Sequence, residues 1–237
     1  MPFVDELLAY VFDGRSHLLA RPMATWIDSS RRFSAFVSTF RDKIRKKVRA
    51  TQDREGLLDL RLELETAFLL LRERPLSVVY EPEQFGQMRS PDFAVRYTTS
   101  LTFMVEVTRL RAGQKSGVAS PIGERLADAI CTKLGQLVPQ RSNVLLVGTE
   151  TPLADRDLRR VMLRTQQRAE SGDPAFLGRH RFRDRADFFR RYQRLSEILV
   201  HRTPLQAGDP AVTWVNPAAK YPLPGKVRTA LSRSHAI

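Results

Sequence analysis

Apolar positions along this chain recur first at helical and then at strand spacing. Residues 2–12 and 16–50 both read as helices, with apolar side chains every three to four positions. Phe33, Phe36 and Phe40 lie at i, i+3 and i+7 and share one face. That segment runs into a basic amphipathic end, residues 41–49, which includes Arg45, Lys46 and Lys47. Such an end is either a solvated helix terminus or a phosphate-facing one. A further helical pattern covers residues 57–72, without Gly or Pro to weaken it. Leu58, Leu62, Glu65, Phe68, Leu69 and Arg72 share a face there. Glu65 is thereby embedded in an apolar stripe, where a carboxylate needs a partner or a metal. Glu63 lies roughly 200° around the helix and is expected to face solvent.

The period then changes. Pro75 ends the helix, and residues 76–82, 90–98 and 101–110 are short β-branched and aromatic runs that read as strands. Thr99-Ser100 is a plausible tight turn, and residues 113–117 form a polar loop. Residues 121–137 return to helical spacing, with Ser120 as N-cap and Pro121 at the first position. Residues 142–148 are almost wholly apolar, as buried parallel strands are. The order over residues 55–150 is α-β-β-β-α-β. Beyond it, residues 155–170 and 186–201 read as helices, the second carrying Phe188, Phe189, Tyr192, Leu195 and Leu199 on one side. A basic loop at 178–183 lies between them and contains Arg181 and Arg183. Residues 211–215 suggest an edge strand, and a short helix starts near Gly225.

Three regions follow: a basic helical N-terminal extension (1–54), an α/β core (55–150) and a basic helical C-terminal extension (151–237) packed on it. A chain of 237 residues is long enough to bury a core without disulfides or metal staples. Its single cysteine, Cys131, falls in an apolar helical pattern and reads as a buried thiol. No apolar run approaches the roughly 18 residues that span a bilayer, and the first dozen residues lack the basic start of a secretory signal. A cytoplasmic location without membrane contact is expected.

The net charge is +13, and it is unevenly spread. Residues 1–50 hold ten Lys/Arg against five Asp/Glu, residues 57–150 hold eleven of each, and residues 151–237 hold seventeen against eight. Basic flanks around a neutral core suit a polyanion partner, because Lys and Arg on phosphates release counterions. An excess of arginine over lysine also has a compositional explanation, so charge alone leaves a solubility role open.

Candidate chemistry rests on carboxylates. Asp92 follows Pro91 at the start of one strand, and Glu106 sits in Val105-Glu106-Val107-Thr108 on the next. A hairpin turning at 99–100 pairs residues whose numbers sum to about 199, which brings Asp92 near Glu106. Glu65 from the preceding helix completes a trio of oxygen ligands of the kind Mg²⁺ and Mn²⁺ prefer. Other chemistry is set aside. His17, His180, His201 and His235 have no metal-binding spacing, no cysteine pair exists for zinc, and there is no phosphate-binding glycine loop.

The element order, the Pro91-Asp92 pair and Glu106-Val107-Thr108 resemble the PD-(D/E)XK, or restriction-endonuclease-like, superfamily over residues 55–150. The resemblance implies a mixed central sheet flanked by helices and a Mg²⁺- or Mn²⁺-dependent nuclease. Glu65, Asp92 and Glu106 would bind metal, with Asp92 and Glu106 at the catalytic centre. The family's lysine, two residues after the last Glu, is replaced here by Thr108. Lys133 on the following helix, on one face with Gln136, is similar to the lysine that some members take from that helix. The same position otherwise reads as an exposed helix lysine. Arg45, Lys46, Lys47, Arg109, Arg111, Arg181 and Arg183 are the expected phosphate contacts. Nucleic acid, with DNA ahead of RNA, is the implied partner, and a homodimer is compatible with the class. Thr108 equally suits the same fold acting as a catalytically silent nucleic-acid-binding or protein-interaction module.

Overall fold

The structure, a computed structural model, describes residues 2–82, 90–99, 101–111, 122–204 and 211–235. The expected helix start at Ser120 and Pro121, the loop at 113–117 and Ser100 of the expected turn lie outside these residues. The elements run α1 (Pro2–Phe12), α2 (Ala20–Ser29), α3 (Arg31–Ala50), α4 (Arg54–Arg72), β1 (Leu76–Tyr80), β2 (Phe93–Tyr97), β3 (Leu101–Arg109) and α5 (Ile122–Leu134). Then come β4 (Asn143–Thr149), α6 (Asp155–Glu170), α7 (Pro174–Arg179), α8 (Arg185–Tyr192), β5 (Leu195–Arg202), β6 (Val212–Val215) and α9 (Gly225–Ser234). The fold is mixed α/β, with helices on both faces of one six-stranded mixed sheet.

The strands lie side by side in chain order, β1 to β6. β1, β2 and β3 form an antiparallel meander. β3, β4 and β5 are parallel, and β6 returns antiparallel to β5 as the edge strand expected at 211–215. Two cores result. One packs α1–α4 and α9 against Val78, Tyr80, Phe93, Phe103, Val105 and Leu146. The other packs α5–α8 against Leu145, Val147, Ile198 and Val200 on the opposite face. Every residue of β4 is buried, as its unbroken apolar run requires when helices cover both faces.

Three sequence expectations change. The helix expected over 16–50 divides into α2 and α3 at Ser30. That residue is extended (φ −142°, ψ 107°), and its side chain accepts a hydrogen bond from the Phe33 amide. A serine that caps the second helix interrupts the first. The helix expected over 186–201 is a short helix, α8, followed by the central strand β5. Phe188, Tyr192, Leu195 and Leu199 keep helical spacing by coincidence, and a strand buried on both faces has no alternation to betray it. The C-terminal region is therefore not helical throughout; it supplies two strands of the sheet. Among the described residues, no helix is long and apolar enough to cross a membrane.

Candidate active site

The site forms where β2 and β3 part. Their register runs from Tyr97 opposite Leu101 to Phe93 opposite Val105, and one further step sets Asp92 opposite Glu106. Pairing stops there, but β3 continues to Arg109. The Val107 amide, left without a strand partner on that side, donates to Asp92 Oδ2 at 2.7 Å. This capping satisfies a backbone donor and fixes the carboxylate at the mouth of a cleft of about 310 Å³. Asp59, Leu62, Glu63, Asp92, Thr108 and Lys133 line it, with Val107, Arg109 and Arg111.

α4 enters the cleft with Glu63 rather than Glu65. Leu60, Leu62, Leu64, Glu65, Thr66, Ala67, Leu69, Leu70 and Leu71 are all buried, so the helix has no single apolar face. It is enclosed by the sheet on one side and by α3 and α9 on others. Glu65 points away from the cleft, 2% exposed, and accepts a long hydrogen bond of 3.4 Å from Thr203 Oγ1 beyond β5. The expectation that Glu65 joins Asp92 is thus replaced by Glu63, and Glu63 is not the solvent-facing residue its angle suggested. A signal was present in the chain: Glu55, Asp59 and Glu63 recur every four residues, a polar stripe on one helix face. Gly148 on β4 lets the helix come this close, since a Cβ there would stand 2.7 Å from the Leu62 side chain.

Glu63 has a dense set of partners. Lys47 Nζ approaches its Oε2 at 2.6 Å and the Tyr80 hydroxyl donates to the same oxygen at 2.8 Å. Burial, followed by the charge of Asp92, still holds the Glu63 carboxyl above its usual range against these two donors. Lys47 also pairs with Glu81 Oε1 at 2.9 Å. Burial works against its charge, but Glu63 and then Glu81 outweigh that and raise its pKa. Lys47 is therefore turned inward and is not the exposed phosphate contact expected from the basic end of α3. Glu81 itself adopts φ +42°, a backbone region non-glycine residues seldom occupy. Its amide donates to the Asp92 carbonyl at 2.9 Å, linking the end of β1 to the start of β2.

On the other side of β3, Glu106 is 4% exposed and receives Lys133 Nζ at 2.6 Å. Lys133 sits in the last turn of α5 with its side chain 14% exposed, so it is not an exposed helix lysine. Gln136 lies beyond the end of α5 and outside the cleft lining, and its buried Oε1 lacks a hydrogen-bond partner among the described residues. Thr108 lines the cleft but brings no charge.

The expected phosphate contacts diverge. Arg109 has a side chain only 2% exposed and pairs with Glu55, Asp59 and Glu150, tying β3 to α4 at the cleft lining. Arg111 is 60% exposed beside Asp59. Arg45 pairs with Asp13 and stacks over Tyr10, whereas Lys46 is exposed. Arg181 and Arg183 are exposed on either side of Phe182, which packs into the core on the α5–α8 face. Arg45 to Lys47 belong to the opposite face, with α3.

Glu63, Asp92 and Glu106 are the residues here that could hold a hard cation. Their donor chemistry suits one, since all are carboxylates. Among the described residues, however, no group of three or more His, Cys, Asp or Glu is arranged to hold a metal ion. Two of the three carboxylates are instead closed on lysines. Comparisons with protein-family models, with curated proteins and with solved structures each returned no match.

Proposed function

We propose that this protein is a divalent-metal-dependent nuclease with a restriction-endonuclease-like core formed by α4, β1–β3, α5 and β4, acting on DNA ahead of RNA. One observation carries the reading: the parting of β2 and β3 gathers Glu63, Asp92, Thr108 and Lys133 around one cleft, with Glu106 tied to Lys133. Glu63, Asp92 and Glu106 would hold Mg²⁺ or Mn²⁺. Such an ion polarises a phosphodiester and lowers the pKa of an attacking water.

The chain's own groups have separable tasks in this reading. The Val107 amide fixes the rotamer of Asp92. Lys133 brings the positive charge that Thr108 lacks, and from the neighbouring helix it reaches the Glu106 carboxylate. There its ammonium would steady negative charge growing on a phosphate. Arg111 and Lys46, both exposed, would contact phosphate, together with Arg181 and Arg183 on the other face. Contacts of this kind give affinity that falls steeply with salt.

The test is cleavage of mixed DNA and RNA substrates with Mn²⁺ or Mg²⁺, comparing the natural chain with Asp92→Ala and Lys133→Met. Metal-dependent cutting lost in both variants supports the proposal. A folded protein that cuts nothing and shows no change in Tm with either ion refutes it. A second reading, a catalytically silent binding module, is favoured by the closure of Lys47 and Lys133 on the carboxylates. Salt-sensitive binding of nucleic acid without cutting would select it.

A further inference from the structure

The N-terminal helices do more than cover the sheet. Lys43 and Lys47 lie four residues apart on α3 and so share a face. Lys43 Nζ donates to the Glu81 carbonyl at 2.8 Å. Lys47 Nζ stands between Glu81 Oε1 at 2.9 Å and Glu63 Oε2 at 2.6 Å, and over the Tyr80 ring at 4.8 Å. The grip falls on the end of β1 whose backbone turns through the positive φ of Glu81 and bonds to Asp92. α3 therefore touches two of the elements that shape the cleft, α4 and β1, through one ammonium group.

We infer that Lys47 is an internal counter-cation of the cleft: it occupies Glu63 in place of a metal ion, and a divalent cation that takes Glu63 must displace it. This rests on the reading of Glu63 as a metal ligand. A carboxylate oxygen bonded at 2.6 Å to an ammonium has lost much of its attraction for a second cation, because the lysine has already neutralised the site. Asp92, by contrast, is held by a neutral backbone amide. The consequence is a set point. Metal occupancy depends on how firmly α3 is docked, and metal binding frees Lys47 at the basic end of that helix, next to the exposed Lys46. The N-terminal region would thus sense the state of the cleft without contributing a ligand to it.

Mn²⁺ titration calorimetry on the full chain tests this, comparing the natural protein with Lys47→Met, Lys47→Arg and Lys226→Met, the last at an exposed lysine of α9. Lys47→Met keeps the aliphatic stem and removes the charge; it should lower the Mn²⁺ Kd by on the order of tenfold, the scale of one partly buried ion pair. Lys47→Arg should not tighten binding, and Lys226→Met should match the natural protein. Equal or weaker binding by a folded Lys47→Met variant, with the natural protein still binding, overturns the proposal and leaves the metal site standing. Absence of saturable Mn²⁺ binding in all four proteins overturns the metal site and this inference with it.

A second measurement does not depend on the neutral variant folding. NMR of ¹³C-methylated lysines, with Lys47 assigned by the signal missing in Lys47→Arg, should show that signal moving toward the position of solvent lysines as Mg²⁺ is added. A Lys47 signal that stays fixed while Mg²⁺ saturates the protein overturns the displacement.

Discussion

Glu197 offers a quantitative test of the buried sheet. It lies on β5, between β4 and β6, at 1% exposure, and among the described residues its Oε2 has no hydrogen-bond partner. Burial pushes its pKa up to about 7 from 4.5, with Arg228 pulling weakly the other way. A carboxyl whose folded pKa is raised binds its proton more tightly in the native state. Its contribution to stability is neutral below the unfolded pKa and turns unfavourable as pH rises through the window from 4.5 to about 7. Glutamine has the same shape and no proton to lose. Linkage between these two values makes Glu197→Gln stabilising by about 3 kcal/mol at pH 8, about 2 kcal/mol at pH 6 and under about 0.5 kcal/mol at pH 4.5. Urea denaturation at those three values, with m held constant, measures it. A ΔΔG that does not change with pH, or a variant less stable at pH 8, would refute the claim that Glu197 is ionised at a penalty inside the sheet.

Other groups give independent tests. His235 is fully buried beside His201, and burial, then the neighbouring His201, lowers its pKa to about 3. The unfolded state takes up that proton first, so this contribution to stability is lost as pH falls below about 6.5, by about 1.4 kcal/mol per pH unit. His235→Leu should flatten the acid side of a stability–pH curve, and an unchanged slope would count against a buried neutral imidazole. Arg109→Lys should lower Tm despite keeping the charge, because Lys lacks the fork that reaches Glu55, Asp59 and Glu150 together. A loss of about 1–3 kcal/mol is expected, read by thermal unfolding, and an unchanged Tm would show that the ion-pair cluster is loose. Finally, Glu63→Gln should abolish any Mn²⁺-induced rise in Tm while Glu65→Gln leaves it intact; the reverse result would restore Glu65 to the site.

Much of the core was legible along the chain because its signals are local. Pro75 after an apolar helix, β-branched runs of strand length and the return to helical spacing near residue 122 are set by propensities within a few residues. The order α4, β1, β2, β3, α5, β4 follows from them. So does the register that brings Asp92 near Glu106, since a short connection between strands leaves little choice. Directions were harder to read. α4 is covered on several sides, so its apolar period marks no single face, and Glu63 lines the cleft where that period pointed to Glu65; only the four-residue recurrence of Glu55, Asp59 and Glu63 marked the right face.

The partners of the charged residues around the cleft belonged to tertiary structure. Lys47 and Glu63 are sixteen residues apart, Lys133 and Glu106 twenty-seven, Arg109 and Glu55 fifty-four. At such separations an arginine in a basic segment and an arginine buried among three acids look alike in the chain. β5 shows the same limit for the backbone: residues 195–202 became a central strand because β4 and β6 offered hydrogen bonds on both edges and helices covered both faces. The sequence by itself determined which segments had to be buried; packing decided which face, which partner and which carboxylate meets the cleft, because those depend on groups that only folding brings together.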